Sequence, residues 1–147
     1  MHNVDNKYIS PRIRGTYNLN RLLFDEPVPP RAASREQFTF AVHDLLDSMG
    51  FALYLTGYKF LAHVIELYLL QDDYTFAGAV KSTCDIYRAE EKWVVGNIRT
   101  SIEENRDFLI RAAKLLRRKV SVTENFTEDC IEILGAIFKR YFNYYLQ

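Results

Sequence analysis

The sequence holds too little of what metal, redox or covalent chemistry needs. Only two cysteines occur, Cys84 and Cys130, far apart in the chain. No CxxC pair and no Cys/His cluster accompanies them, so neither a metal site nor a dithiol motif is expected. Two separate thiols fit a reducing cytoplasm. There is no Gly-rich phosphate loop and no nucleophile–base set. The carboxylate pairs Glu90-Glu91 and Glu103-Glu104 are adjacent in sequence, which splays them around a helix. No catalytic residue, no cofactor and no enzyme activity are therefore expected. Long apolar runs are missing too. The longest, Leu61–Leu70, is interrupted by His63 and Glu66, and a membrane span needs roughly 18 residues. The N-terminus carries scattered charges and no apolar core, so no signal peptide is expected and the location reads as cytoplasmic. Finally there is no net charge, and the pI is about 6.8, so the chain as a whole is not a basic polyanion binder.

The charge that is present is unevenly placed. Residues 88–119 carry nine Lys or Arg against five Asp or Glu, whereas residues 34–87 carry three against seven. Positive charge thus concentrates in one stretch, which also holds the only Trp. At 147 residues with 48% apolar content, the chain is long enough for one domain with a real core. Residues 1–33 read as an N-terminal arm, broken by Pro11, Gly15 and the run Pro27–Pro30. Within the arm, the apolar knot Leu22-Leu23-Phe24 is expected to dock on the chain's own surface. Residues 34–147 form the domain.

Helical periodicity runs through that domain. Ser34 and Gln37 make a capping box ahead of Phe38, Ala41, Val42, Leu45 and Met49, and Gly50 suits a left-handed helix end. His43 reads as a partly exposed surface histidine. Residues 51–55 form an extended connector. Thr56 is expected to cap a central helix with Tyr58, Leu61, Ile65, Tyr68 and Leu69 inward, Gly57 giving a close turn. His63 and Glu66 read as a surface pair. After Asp72–Thr75 a short helix turns Phe76, Ala79, Val80 and Thr83 inward. Gly78 and Ala79 give it room for close packing, and Cys84 reads as small and buried. A turn near Tyr87-Arg88 leads to a helix over Ala89–Glu103. Val94, Ile98, Ser101 and Ile102 face in; Lys92, Trp93, Gly96, Asn97, Arg99, Thr100 and Glu103 face out. A helix over Arg106–Lys119 buries Phe108, Leu109, Ala112, Leu115 and Leu116 and leaves Arg111, Lys114, Arg117, Arg118 and Lys119 on a basic side. Thr127 is expected to cap a last helix with Ile131, Leu134, Ile137, Phe138, Tyr141, Phe142 and Tyr145 on its stripe.

Two segments carry a family resemblance. Gly50-Phe-Ala-Leu-Tyr-Leu-Thr-Gly-Tyr-Lys-Phe-Leu61 is similar to the pattern G-[IVF]-x-x-x-[IL]-x-G-Y-x-[YF]-L, and Val94-Val-Gly-Asn-Ile-Arg-Thr-Ser-Ile-Glu103 to V-E-[RK]-x-I-R-x-[AS]-I-E. Together, in this order and separation, they resemble the C-terminal DNA-binding effector domain of the sporulation initiation response regulator of spore-forming Firmicutes. The resemblance covers about Ser34 to the C-terminus. It implies an all-α bundle of about six helices around a helix-turn-helix, roughly Phe76–Tyr87 followed by Ala89–Glu103. It also implies major-groove reading by the second of these helices, often as tandem dimers. By position it assigns a DNA role to Arg99. Val95 and Gly96 depart from the family's Glu and basic residue, and the arm stands where the family has a phosphoacceptor receiver domain.

The expected function is a small helix-turn-helix transcriptional regulator, of a phage or mobile element, acting on double-stranded DNA. Lys92, Trp93, Asn97, Arg99 and Thr100 would face the groove, Asn97 pairing with adenine and Arg99 with guanine or phosphate. Arg106, Arg111, Lys114, Arg117 and Arg118 are candidates for phosphate contacts. The alternative is a protein-interaction or inhibitor module on the same fold, with Trp93 as anchor. The aromatic C-terminal end is expected to complete the core, with a homodimer contact as the alternative, and no membrane partner is expected.

Overall fold

The computed structural model describes residues 35–51, 56–121 and 125–141. Within them the chain is all α: α1 Arg35–Ser48, α2 Thr56–Leu70, α3 Phe76–Tyr87, α4 Glu91–Glu103, α5 Arg106–Leu115 and α6 Phe126–Tyr141. The arm, Ser34, most of the connector, Phe142 and Tyr145 lie outside the described residues.

Helix α2 is the centre. Tyr58, Phe60, Leu61, Ala62, Val64, Ile65, Leu67 and Leu69 are all buried, so the helix is apolar nearly all round, as only an enclosed helix can be. It packs against α1, α3, α4 and α6. The inward sets of α1 (Phe38, Ala41, Val42, Leu45, Met49) and α4 (Val94, Ile98, Ser101, Ile102) are buried as the periodicity predicts. Ile131, Leu134, Ile137 and Phe138 of α6 close the core, while α5 packs chiefly on α6 through Leu109, Ala112 and Ala113.

Three helices stop in the same way. A left-handed residue follows the last turn, and the next amide reaches back to the carbonyl five residues earlier. At α1 the left-handed residue is Gly50 (φ 96°), with Phe51 N–H donating to Leu46 at 3.1 Å. At α3 it is Arg88, with Ala89 donating to Cys84 at 3.1 Å; at α5 it is Arg117, with Arg118 donating to Ala113 at 2.8 Å. Only the first is a glycine. The start of α3 is fixed by Thr75, whose side chain accepts from Gly78 N–H at 3.0 Å.

Several expectations are corrected. Helix α5 ends at Leu115 rather than Lys119, because Arg117 takes φ 56°. Helix α4 begins at Glu91, with Ala89 and Glu90 still in the turn. Thr127 does not cap α6, which already starts at Phe126, with Asn125 O accepting from Asp129 N–H at 2.9 Å. Gly57 lies inside α2 and serves a helix crossing rather than a turn: a Cβ there would run into the carbonyl of Asn97 and the hydroxyl of Ser101 on α4. Gly78 is exposed and contributes nothing to helix packing, since a Cβ there would meet only its own cap, Thr75. Cys84 is half-buried rather than buried.

His63 and Glu66 are not a surface pair. Glu66 is 3% exposed, and its Oε1 accepts from Arg35 Nε at 2.8 Å and from Thr39 Oγ1 at 2.8 Å. It therefore ties the start of α1 to the middle of α2. A buried carboxylate is tolerated only with such donors around it. His63 turns instead to Ser82 Oγ of α3 at 3.2 Å.

Candidate nucleic-acid interface

Helix α4 is set at the surface by its neighbours. The turn from α3 is short because Arg88 (φ 52°, ψ 49°) reverses the chain in one residue, after which Glu90 is extended and α4 begins. Its inner side, Val94, Ile98, Ser101 and Ile102, is sealed against α2 and α3. The close approach at Gly57 presses α2 onto the Asn97 carbonyl and fixes how deep α4 sits. At the far end, Asn105 Nδ2 donates to Ser101 O at 2.9 Å, and Arg106 grips Glu103 with both Nε (2.8 Å) and Nη2 (2.9 Å). The Arg106 guanidinium also lies 4.1 Å from the centre of the Phe126 ring. The joint between α4 and α5 is thus braced by side chains on both sides.

The outer side of α4 exposes Lys92, Trp93, Arg99 and Thr100. Trp93 is 57% exposed, which is far from the burial expected of the only Trp in a chain this size. Gly96 lies on the same side, and a Cβ there would meet nothing. Neither core packing nor backbone conformation requires it. Asn97 stands farther in than the outward position expected of it. It is half-buried, and its Nδ2 donates to the helix's own Trp93 O at 2.8 Å. That uses one of the two amide N–H groups, and the second N–H and Oδ1 remain. Thr100 likewise returns its hydroxyl to Gly96 O at 3.0 Å. Arg99 and Lys92 engage in no hydrogen bond or ion pair among the described residues.

The candidate phosphate contacts divide. Arg111 and Lys114 are exposed on α5. Arg106 is held by Glu103, which keeps the Glu103 carboxyl below its usual range. Arg117 and Arg118 lie past the end of α5, and Arg118 with Lys119 lines a hollow shared with Asp129, Glu132 and Ile133 of α6. The basic row of α5 therefore ends against carboxylates that α6 supplies.

Burial lowers His63, with Glu66 opposing and Arg35 adding to the effect; burial lowers His43 as well, again opposed by Glu66. Burial raises the Cys84 thiol, with Glu91 and Asp85 adding to it, and pushes Cys130 up to about 12. Neither thiol is activated as a nucleophile. Among the described residues no group of three His, Cys, Asp or Glu could hold a metal ion, and no helix is long and apolar enough to cross a membrane.

No family model, curated protein or solved structure matches this chain.

Two features of α2 escape sequence reasoning. The close crossing at Gly57 pairs residues 40 positions apart in the chain, so no local pattern marks it. The burial of Glu66 had a signal: it sits between Ile65 and Leu67 on a helix with apolar residues on every side.

Proposed function

We propose that the chain is a small DNA-binding protein, a transcriptional regulator that lays α4 in the major groove as the second helix of a helix-turn-helix. The observation that carries this reading is the two-sidedness of α4. One side is sealed into the core, and the other offers Lys92, Trp93, Arg99 and Thr100 from a helix braced at its C-terminal end. A groove-reading helix needs that rigidity and that exposure. Arg111 and Lys114 on α5 supply further positive charge for phosphates.

Anisotropy of a labelled duplex at 50 and 200 mM salt tests it. Two to four phosphate contacts would weaken binding roughly 10- to 150-fold across that range. Arg99→Ala is expected to weaken binding further. Binding that is missing at both salt concentrations would overturn the reading.

One observation favours a second reading, a protein partner. Glu90, Glu91, Glu103 and Glu104 are all exposed at the two ends of α4, where they repel phosphates, and Trp93 between them suits an interface anchor. Under that reading Trp93→Ala abolishes capture of a protein partner and DNA binding is absent.

A further inference from the structure

Resting on the DNA reading, we infer that α4 selects thymine through its 5-methyl group, using Trp93, Gly96 and the Thr100 methyl, with Arg99 as the polar reader beside them.

The side chains that stand out from the outer side of α4 are Lys92, Trp93, Arg99 and Thr100. Trp93, Gly96 and Thr100 are spaced i, i+3, i+7, so they form one line along the helix. The two polar side chains on or next to that line each bond to their own helix. Asn97 donates to Trp93 O at 2.8 Å and Thr100 to Gly96 O at 3.0 Å. The hydroxyl of Thr100 is turned to its own helix, and its methyl is the group left for a partner. Gly96 has open space where a Cβ would stand, so a base edge can come up to the helix backbone. What remains is an indole, a bare backbone step and a methyl: an apolar strip flanked by Arg99.

In the major groove the apolar feature of a base pair is the thymine 5-methyl group; the remaining edge groups are hydrogen-bond donors and acceptors. The exposed front of this strip is apolar and fits the methyl. Arg99 retains its guanidinium for a guanine edge or a phosphate.

The test compares two duplexes that differ only by that methyl, alternating poly(dA-dT) and alternating poly(dA-dU), by filter binding at one salt concentration with the full chain. Covering one or two methyl groups predicts about four- to fifteen-fold tighter binding of the thymine polymer. Trp93→Ala, a change at an exposed residue, is expected to bring the two polymers within twofold of each other. Arg99→Ala is expected to weaken both and keep their ratio. Because Trp93 is the only Trp, its fluorescence is expected to change more with the thymine polymer. Salt-dependent binding that is equal for the two polymers would overturn this inference and leave the DNA reading standing. A ratio unchanged by Trp93→Ala would also overturn it. Binding to neither polymer would overturn the DNA reading, and this inference with it.

Discussion

The same substitution, glycine to alanine, should have opposite effects at two positions of this fold. At Gly96 the new methyl enters open space on an exposed helix face. Nothing is displaced, and the helix loses the entropy penalty of a glycine in its interior, so Gly96→Ala should stabilise by about 1 kcal/mol. In a domain of this size that raises Tm by about 3–5 °C. At Gly57 the methyl would overlap the Asn97 carbonyl of α4, a backbone group that cannot swing aside. Overpacking of this kind costs about 1–3 kcal/mol, and a backbone clash belongs at the upper end. Subtracting the same helical gain leaves Gly57→Ala less stable by about 2 kcal/mol. The two variants should thus differ by about 3 kcal/mol in urea unfolding followed by far-ultraviolet circular dichroism. A second readout ties the result to function. Gly96→Ala should weaken DNA binding although the fold is more stable, because the methyl stands between the helix and a base edge. A lower urea midpoint for Gly96→Ala, or an unchanged one for Gly57→Ala, would refute the packing argument.

Other outcomes follow from the network around α2 and from the helix ends. Glu66→Ala should destabilise by about 1–3 kcal/mol in the same unfolding assay, because the Thr39 hydroxyl loses its buried acceptor; Arg35→Ala should cost at least as much, because it leaves the buried Glu66 carboxylate without its cation. Stability should fall on acidification below pH 6.5. The unfolded chain binds protons on its histidines at that ordinary value, while burial holds His43 and His63 lower in the fold. The histidine contribution is therefore complete above pH 6.5 and is lost as pH drops through the folded values, and replacing both histidines by Gln should flatten unfolding midpoints over that range. Arg117→Gly should raise stability by about 1 kcal/mol, since a non-glycine residue there occupies the left-handed region.

How far the fold is legible in the sequence depends on how local each feature is. The inward set of α4, Val94, Ile98, Ser101 and Ile102, follows from spacing alone and is buried as read. The end of α1 at Gly50 follows from one residue type. The ends of α3 and α5 do not, because arginine stands where glycine would announce the stop. Only the turn near Tyr87-Arg88 was visible, from the polar break in the pattern. The cap of α6 was misplaced by one turn signal too many, since Thr127 and Asn125 are both good cap residues. For the interface, exposure was legible and hydrogen bonding was not. Lys92, Trp93, Arg99 and Thr100 are exposed as read, whereas the inward donations of Asn97 and Thr100 depend on rotamers that no spacing fixes.

The attachment of α5 has a consequence for the order in which the molecule opens. Its inner side meets α6 and little else, while α2 is enclosed by four helices. Amide hydrogens of α5 should therefore exchange with solvent through a partial opening that leaves α2 protected, and those of α2 only through unfolding of the whole domain. Because α5 carries Arg111 and Lys114, a bound polyanion would slow exchange in α5 first. The least secured helix of the fold is then also the one whose protection reports most directly that a ligand has arrived.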